Sequence, residues 1–390
     1  MKKIQAIAGI AIAAMHLGAA PVVEITSVQQ QYPWTNTVDI TYTSTGIAED
    51  NTYYVVFQAH DSAGKEIGVI TNDLKVSQGS TWVAQWQPPF NVRYENCTMT
   101  PYVYKGWQDD YMIVDLDTWA VTYEGMSTQQ ASNEKYQAAI YKTAKMVFRK
   151  IEGGKTYTIG DDRITTNTKH TTYVPRDYYI AIFPCTEGQY RRIAGDSTAD
   201  SNLPKNNVSN TSLRNAGVAA TPSAASPLGK FNANVVNAGF GGGNFDLPTE
   251  SMWEVAARAG TTTRYYWSDS NDSTLYYQNA WGKSNSPNNR QEVGTKDPNQ
   301  WGLYDIIGNV WDVMRDVGRG NTNLATLADQ CNNAFTPRAS TSQNICLRGQ
   351  GYPDSSPDAY TGSIAGSYWS SGALNWVGSH VGFRIAYIPE

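Results

Sequence analysis

Apolar and polar residues alternate with period two over the first third of the chain. Val38–Tyr42 and Tyr53–Ala59 show this alternation and are separated by the polar turn Glu49–Asn51, which is the pattern of half-buried antiparallel strands. Thr81–Trp86 and Met99–Tyr104 continue the series, and no helical segment interrupts it. The first part of the chain is therefore predicted to be a small antiparallel β-sandwich.

Strand spacing of this kind favours an all-β sandwich of the immunoglobulin or fibronectin type over residues 21–125. Domains of that type usually bind, space or display, and they rarely catalyse. Residues 126–144 are polar and rich in Gln, Ser and Ala. This composition predicts a linker that contains at most a short helix.

The pattern changes after residue 145, where predicted strands and helices are mixed. Thr186 can cap a short helix that follows it, and the clearest helix runs from Thr249 as N-cap to Gly260 as a left-handed stop. Glu250 and Glu254 lie one turn apart on this helix and are predicted to form an exposed acidic face. Residues 145–390 are therefore predicted to be an α+β domain.

The N-terminus has the layout of a secretory signal peptide over residues 1–20. Met1-Lys2-Lys3 is a short basic region, Ile4–Leu17 is an apolar run, and small residues follow at Gly18–Ala20. These features predict an exported mature protein, whether periplasmic, cell-surface or extracellular. A membrane anchor is the weaker interpretation, because the run is too short to span a bilayer comfortably and no later stretch approaches about 18 apolar residues.

Composition narrows the class of partner. The chain has 25 Tyr, 12 Trp and 33 Gly, only 17% charged residues and a formal charge of −5. This balance suits a β-rich, loop-rich protein and argues against nucleic acid, which would require a basic face.

Four cysteines, Cys97, Cys185, Cys331 and Cys346, show no CxxC spacing. Cys331 and Cys346 are the nearest pair for a disulfide worth about 3 kcal/mol, and four buried thiols are the alternative.

The stretch Trp301–Asp316 combines tight-turn glycines with aromatic anchors. It places two carboxylates, Asp305 and Asp312, seven positions apart. Carboxylates among backbone-rich turns can hold a hard cation. The alternative is that both acids cap turns, which is a common use of Asp.

Several motifs follow one another in the second domain. In chain order they are Leu247-Pro248-Thr249-Glu250 with Trp253-Glu254, Tyr266-Trp267-Ser268, Gln278-Asn279-Ala280-Trp281, the Trp301–Asp316 stretch, Leu347-Arg348-Gly349 and Gly382-Phe383-Arg384. Together they resemble the formylglycine-generating enzyme (sulfatase-modifying factor) family over about Phe148 to Ile388. The resemblance implies an elaborated C-type-lectin-like fold for this domain.

Catalytic members of that family hold copper with two cysteines, placed a few residues after an Arg-Gly-Gly-type strand. The matching positions here are Asp354 and Ala359. Copper(I) needs soft thiolate ligands, which neither residue supplies, so we expect no copper and assign no catalytic residue. The alternative is an enzyme of the wider family with another oxidase chemistry. An iron oxidase would need a triad of His and carboxylate, which the scattered histidines do not suggest.

The resemblance also implies structural calcium in the Trp301–Asp316 stretch. The matching ligands are the side chains of Asp305 and Asp312 and the backbone carbonyls of Gly308 and Val310. This mixture of oxygens suits calcium. A second family site would use Asn279, but its downstream acidic partner is not recognisable in this sequence.

Aromatic and small polar residues crowd the segment from Tyr352 to Trp376. The candidate ligand-binding residues are Tyr352, Asp354, Ser356, Asp358, Tyr360, Tyr368, Trp369, Ser371, Asn375 and Trp376. Rigid aromatics supply contact area and small polar residues adapt the hydrogen bonds. The segment resembles the variable segment of diversity-generating retroelement proteins, which use this fold and end soon after a Gly-Phe-Arg. The alternative is an ordinary loop and strand end with its aromatics in the core.

These observations predict an exported two-domain protein whose second domain binds an unknown protein or glycan ligand without catalysis. Nucleic acid and a membrane span are not expected. A purely structural surface protein whose loops bind nothing specific is a further possibility.

Overall fold

The computed structural model describes residues 5–6, 22–30, 37–45, 53–60, 66–76, 81–86, 98–105, 110–125, 128–195, 200–241, 243–270, 272–318, 322–338, 344–354 and 364–389. The chain divides into two compact units, Met1–Gln108 and Asp109–Glu390. The described elements of the first unit are strands, and those of the second are strands and helices.

The described part of the first unit consists of β1 (Gln5–Ala6), β2 (Val22–Gln30), β3 (Val38–Thr45), β4 (Tyr53–His60), β5 (Glu66–Val76), β6 (Thr81–Trp86) and β7 (Thr98–Lys105). They form one sheet in the order β1-β7-β4-β5 and another in the order β2-β3-β6. The predicted alternation is present on β3, where Val38, Ile40 and Tyr42 are fully buried. The ring of Tyr42 lies 5.0 Å from that of Phe57 on β4, so aromatic packing joins the two sheets.

Two predictions about this part of the chain are not tested. The immunoglobulin or fibronectin type stays a prediction, because the described strands establish two sheets and no particular family of sandwich. The signal peptide also stays a prediction, since most of residues 1–20 lie outside the described residues.

The strands of the second unit are β8 (Tyr111–Asp115), β9 (Val121–Glu124), β10 (Lys145–Ile151), β11 (Lys155–Ile159), β12 (His170–Val174), β13 (Tyr178–Ala181), β14 (Asn244–Asp246), β15 (Trp311–Val317), β16 (Asn344–Arg348), β17 (Ser367–Ala373), β18 (Val381–Gly382) and β19 (Ala386–Ile388). A six-stranded sheet has the order β14-β19-β13-β10-β8-β9, and a four-stranded sheet has the order β17-β16-β15-β18. β11 and β12 form a separate two-stranded ribbon. In the four-stranded sheet, β17 is therefore an edge strand.

The helices are α1 (Gln129–Tyr136), α2 (Ile140–Thr143), α3 (Glu187–Ala194), α4 (Asn210–Arg214), α5 (Pro227–Asn237), α6 (Glu250–Arg258), α7 (Ser273–Asn279) and α8 (Ala328–Asn332), with a 3₁₀ turn at Leu324–Thr326. The predicted caps are present: Thr186 accepts from the amide of Gln189 at the start of α3, and Thr249 accepts from the amide of Met252 at the start of α6. α6 ends one residue before the predicted stop. The chain is already left-handed at Ala259, and Gly260 continues the turn with φ of +87°.

The prediction of an exposed acidic face on α6 is wrong. Every residue of the helix is buried, including Glu250, Glu254 and Arg258. The helix lies in the core because its charged side chains find partners on distant strands, which no periodicity within the helix could indicate. Charged residues are buried in this way only when they are paired.

The boundary between the two units differs from the sequence prediction. β8 pairs with β10 in the register Met112↔Phe148, and β9 pairs with β8. The hydroxyl of Tyr111 also accepts from Gln129 of α1 at 2.7 Å. These contacts place residues 110–125 and 128–144 in the second unit, whereas the sequence predicted a sandwich to residue 125 and a linker over 126–144. Period-two strands look alike in sequence, so only the distant partner strand decides which sheet they join.

Two further features concern the whole described chain. Cys185, Cys331 and Cys346 are thiols, so the suggested disulfide between Cys331 and Cys346 is wrong, while Cys97 lies outside the described residues. Among the helices of the described ranges, none has the length and apolar character needed to cross a membrane.

Candidate functional site

Asp312 is bound by two buried donors at the centre of the second unit. Its Oδ2 accepts from Arg384 Nε at 2.7 Å and from Trp253 Nε1 at 2.9 Å. The pairing of Asp312 with Gly382 between β15 and β18 brings it next to the terminal Gly-Phe-Arg. Burial raises the pKa of Asp312, and the attraction of Arg384 and the bonds from Arg384 and Trp253 oppose that rise.

The guanidinium of Arg384 also binds four backbone carbonyls. Nη1 donates to Ala181 at 3.0 Å and Ile182 at 3.4 Å, and Nη2 donates to Tyr304 at 3.0 Å and Asp305 at 3.2 Å. Arg384 is fully buried. It therefore joins the six-stranded sheet to the Trp301–Asp316 stretch, and its role in the fold is structural.

Asp305 is held in a left-handed backbone conformation with φ of +49°. Its Oδ2 accepts from the amide of Gly294 at 2.7 Å, while Oδ1 has only a 3.5 Å contact with Asn309 Nδ2. Burial raises the pKa of Asp305, and the Gly294 amide, Arg384 and Lys142 oppose that rise. Each of the two predicted calcium-binding carboxylates thus keeps one oxygen, Oδ1, which has only a long contact in Asp305 and no hydrogen-bond partner in Asp312.

The donor set of Asp305 and Asp312 fits a hard cation in its chemistry. Asp312 Oδ1 is buried and has no hydrogen-bond partner, and the carbonyls of Gly308 and Val310 lie on the chain between the two acids. Carboxylate and carbonyl oxygens of this kind could hold calcium. Arg384 and Lys142 already oppose the negative charge, so such a site would be weak. No group of three His, Cys, Asp or Glu able to hold a metal occurs in the described ranges.

Asn279, the residue assigned to a second calcium site, has ordinary helix-end contacts. Its Nδ2 donates to the carbonyl of Leu275 at 2.8 Å, and its own carbonyl accepts from the hydroxyl of Tyr266 at 3.2 Å. These bonds hold the end of α7 in place. Nothing in them favours a cation over the turn itself.

Glu254 lies at the centre of a second buried network. Its Oε1 accepts from the Gly160 amide at 2.7 Å and from Arg258 Nε at 2.9 Å. Its Oε2 accepts from Asn167 Nδ2 at 2.7 Å and is paired with Arg348. Burial opposes ionisation of Glu254, but the attraction of Arg258 and Arg348 outweighs it and lowers its pKa to about 2. The acid is an anchor for α6 rather than a proton-transfer group.

The predicted ligand-binding residues fall into three groups. Tyr352, Asp354, Asn375 and Trp376 are described with their side chains. Tyr368, Trp369 and Ser371 lie on the edge strand β17, whose pairing with β16 is irregular between Trp369 and Ala373. Ser356, Asp358 and Tyr360 lie outside the described residues. Irregular pairing such as that between β16 and β17 is common at sheet edges and next to functional sites.

His380 brings the described members of the set together. Its ring lies 6.5 Å from that of Tyr352 and 6.1 Å from that of Trp376. Tyr352 is buried and donates from its hydroxyl to Ser379 Oγ at 3.3 Å. Trp376 is half-buried and its neighbour Asn375 is exposed. Burial lowers the pKa of His380, and Asp354 opposes that shift.

From the sequence, His380 between Gly378 and Gly382 is predicted to be a surface or turn residue rather than a base, and its contacts with Tyr352 and Trp376 are not indicated. Asn206 is not indicated either, although its Nδ2 donates to the carbonyl of Ser379 at 2.6 Å. Asn206 lies in a long polar excursion with no periodicity, so no signal in the chain linked it to the C-terminal segment.

Asp354 stands where the family resemblance places the first copper thiolate, and Ala359 lies outside the described residues. The carboxylate of Asp354 is engaged internally: Oδ2 accepts from Trp311 Nε1 at 2.7 Å and from the Gly351 amide at 2.9 Å. Cys185 is fully buried, and burial raises the pKa of its thiol well above the ordinary value. The carboxylate oxygens of Asp354 cannot replace a thiolate as a ligand for copper(I).

The fold and the site define a class of protein with an α+β unit that is built around a buried Asp–Arg pair. A family model described as "Sulfatase-modifying factor enzyme 1-like domain" matches residues 131–388. The chain therefore belongs to this family, as its motifs predicted.

Curated relatives match shorter parts of the chain. A formylglycine-generating enzyme of Mycobacterium tuberculosis is 40% identical over 75 residues, which is 17% of this chain and 25% of that protein. A formylglycine-generating enzyme of Mus musculus is 34% identical over 80 residues, which is 18% of this chain and 22% of that protein. The chain thus spans about a quarter of the length of the curated relatives that it matches.

Solved structures are similar over a larger part. "Treponema denticola variable protein 1" has a TM-score of 0.49 and 21% identity, over 62% of this chain and 95% of that one. PvdO from Pseudomonas aeruginosa has a TM-score of 0.48 and 16% identity, over 62% of this chain and 94% of that one.

Proposed function

We propose that this chain is an exported, non-catalytic protein that binds a protein or glycan ligand through the C-terminal surface of its second unit. The observation that carries the proposal is the exposed Asn375 beside the half-buried Trp376 and His380, whose rings are in contact, while the buried Tyr352 packs against His380. Trp376 and His380 follow the edge strand β17 in the chain, and that strand bears three more of the candidate binding residues. A C-type-lectin-like scaffold would thus serve to present one surface.

The chemistry of the stretch that follows β17 supports contact with a neutral part of the partner. The stretch from Ala373 to Val381 contains no Asp, Glu, Lys or Arg. Val377 is 47% exposed next to the half-buried Trp376. Aromatic side chains with few torsions supply contact area at low entropic cost, and Asn and Ser adapt the hydrogen bonds around them. Such residues are enriched among those that dominate binding energy.

The residue at the first copper position supports a non-catalytic role. The first thiolate position is Asp354, whose carboxylate accepts two N–H groups. A copper oxidase could not operate with that residue as a ligand. We further propose that calcium, held by Asp305 and Asp312 with the carbonyls of Gly308 and Val310, serves only to brace the fold. The first unit would be an immunoglobulin-like or fibronectin-like spacer.

A glycan and protein array tests the binding proposal. The wild-type protein should bind a defined ligand, and Trp376→Ala should weaken that binding by about tenfold or more, as expected for a central aromatic contact. Val236→Ala is the matched control, because Val236 is 59% exposed on α5 and lies outside the proposed surface. A wild-type ligand that both variants bind equally would refute the assignment of the surface. Oxygen consumption with bound copper or iron would instead favour an enzyme.

We also propose that the segment from Tyr352 to Trp376 is diversified by a retroelement. The support is its composition, rich in aromatic, Ser, Asp and Asn residues, and its position shortly before Gly382-Phe383-Arg384. The gene neighbourhood decides this. A reverse-transcriptase gene with a near-repeat of the last coding segment, differing at adenines, is the expected finding. A neighbourhood with neither would refute diversification and leave the binding proposal intact.

A further inference from the structure

We propose that Asp354 is a positioning residue, which together with Trp311 fixes where the ligand-binding segment leaves the scaffold. It would thus act on binding without touching the ligand, contrary to its assignment from sequence as a contact residue. The consequence for binding rests on the proposed function. The positioning itself rests only on contacts between described residues.

At the entry to the segment, one carboxylate oxygen holds two groups. Asp354 Oδ2 accepts from Trp311 Nε1 at 2.7 Å and from the Gly351 amide at 2.9 Å. The amide of Asp354 donates in turn to the carbonyl of Gly351 at 3.2 Å. Hydrogen bonds to an ionised acceptor are roughly twice as strong as neutral ones. The turn from Gly351 to Asp354 is therefore closed on itself and tied to β15.

At the exit from the segment, the same tryptophan holds the chain again. The amide of Trp311 donates to the carbonyl of His380 at 2.8 Å. Trp311 is also the parallel partner of Val381 in the pairing of β15 with β18. One residue of the scaffold thus binds both ends of the segment, through its side chain at the entry and through its backbone at the exit.

The two ends are also in contact with each other. A Cβ added to Gly351 would lie 2.8 Å from Trp311 Cδ1 and 3.1 Å from His380 Cβ. Only glycine fits between the tryptophan and the histidine at this point. Because the entry, the exit and Trp311 are packed this closely, release of Asp354 would also displace the ring of His380 in the proposed binding surface.

Direct ligand contact is the competing role for Asp354. A ligand group that took Oδ2 would compete for this oxygen with Trp311 Nε1 and the Gly351 amide. Leaving a buried indole N–H without an acceptor carries a full desolvation cost. The geometry therefore favours a carboxylate that stays with Trp311, and binding segments that are held in place beforehand lose less entropy when they bind.

Hydrogen exchange of the full-length protein, followed by mass spectrometry, tests this without any ligand. Asp354→Ala should speed exchange of peptides that cover 351–354 and 378–381 by about tenfold or more. Trp311→Phe keeps an aromatic ring but removes the N–H, so it should give a similar increase. The double variant should exceed neither single variant by much, because both remove the same bond. Asp354→Asn keeps an acceptor oxygen and should restore slow exchange.

Three results would overturn the proposal: unchanged exchange in both single variants, additive effects in the double variant, or no rescue by Asp354→Asn. Asn375→Ala is the control for an exposed residue of the same surface and should leave exchange unchanged. Should Trp311→Phe fail to fold, the comparison of Asp354→Ala with Asp354→Asn still decides. Since exchange requires no ligand, its outcome is independent of the array experiment. If Asp354→Ala loses slow exchange and the array finds no ligand for the wild type, the positioning role of Asp354 stands and the proposed binding function is refuted.

Discussion

Replacing Arg384 by Met should destabilise the second unit by about 3–5 kcal/mol, because it leaves a buried carboxylate uncompensated. Arg384 is fully buried, and its Nε lies 2.7 Å from Asp312 Oδ2. The variant keeps most of the volume but removes this bond and the four donated to backbone carbonyls. Of the two donors that bind Asp312 Oδ2 in the wild type, Trp253 Nε1 would remain.

The loss should fall near the lower end of that range. Burial already raises the pKa of Asp312 in the presence of Arg384. Removal of the arginine should raise that pKa further, since the attraction that opposes the rise is lost, and a buried acid that becomes neutral limits its own cost. A loss of about 3 kcal/mol corresponds to about 6–12 °C in the unfolding temperature for a unit of this size.

Urea unfolding and calorimetry at pH 7 measure this loss. Arg191→Met is the control, since Arg191 has a side chain 36% exposed and a 3.6 Å pair with Asp200; it should change stability by less than about 1 kcal/mol. In a double-mutant cycle, Asp312→Asn combined with Arg384→Met should lose less than the sum of the single losses. An Arg384→Met protein as stable as the control, or strict additivity in the cycle, would show that the pair does not brace the unit.

Three other predictions concern the cation site, pH and thiols. Replacing EDTA by calcium at ten times its dissociation constant should increase the free energy of unfolding by about 1.4 kcal/mol and so raise the unfolding temperature slightly. Asp305→Ala should abolish this rise. No rise in the wild type would favour the turn-capping role of Asp305 and Asp312. Glu254 has a folded pKa of about 2 against an ordinary 4.5, so its contribution is complete above about pH 4.5 and is lost as the pH falls towards 2. Glu254→Gln should flatten the acid-unfolding curve in that interval, and an unchanged curve would contradict the assignment. Alkylation with peptide mapping should label the half-exposed Cys331 before the fully buried Cys185, with equal rates only after unfolding.

Local signals explain which parts of the fold the sequence predicts. The alternation on β3 and the caps of α3 and α6 are present because each depends on a few neighbouring residues. The order of motifs likewise predicts the family, because turn glycines and aromatic anchors keep their spacing along the chain. The end of α6 is missed by one residue, since Ala259 takes the left-handed conformation before Gly260 does.

The candidate site is less accessible to sequence. Asp305 and Asp312 are found as a pair because they lie on one short stretch, but their partners Gly294 and Arg384 lie elsewhere. The composition of the segment identifies Asp354 as a candidate ligand-contact residue. Its hydrogen bond from Trp311 is not indicated, because the two residues are 43 positions apart. His380 and Asn206 carry no local signal for the surface they share through Ser379.

Residue type and short spacing are enough to predict the strands, the helix caps and the family, because each depends on neighbouring positions in the chain. The tertiary structure decided which charges are buried and whom they meet. Glu254 and Arg348 are 94 positions apart, and Asp312 and Arg384 are 72 apart. Such pairs are stable only when the fold removes both partners from water together. No local pattern distinguishes them from the solvated charges that they resemble in the chain.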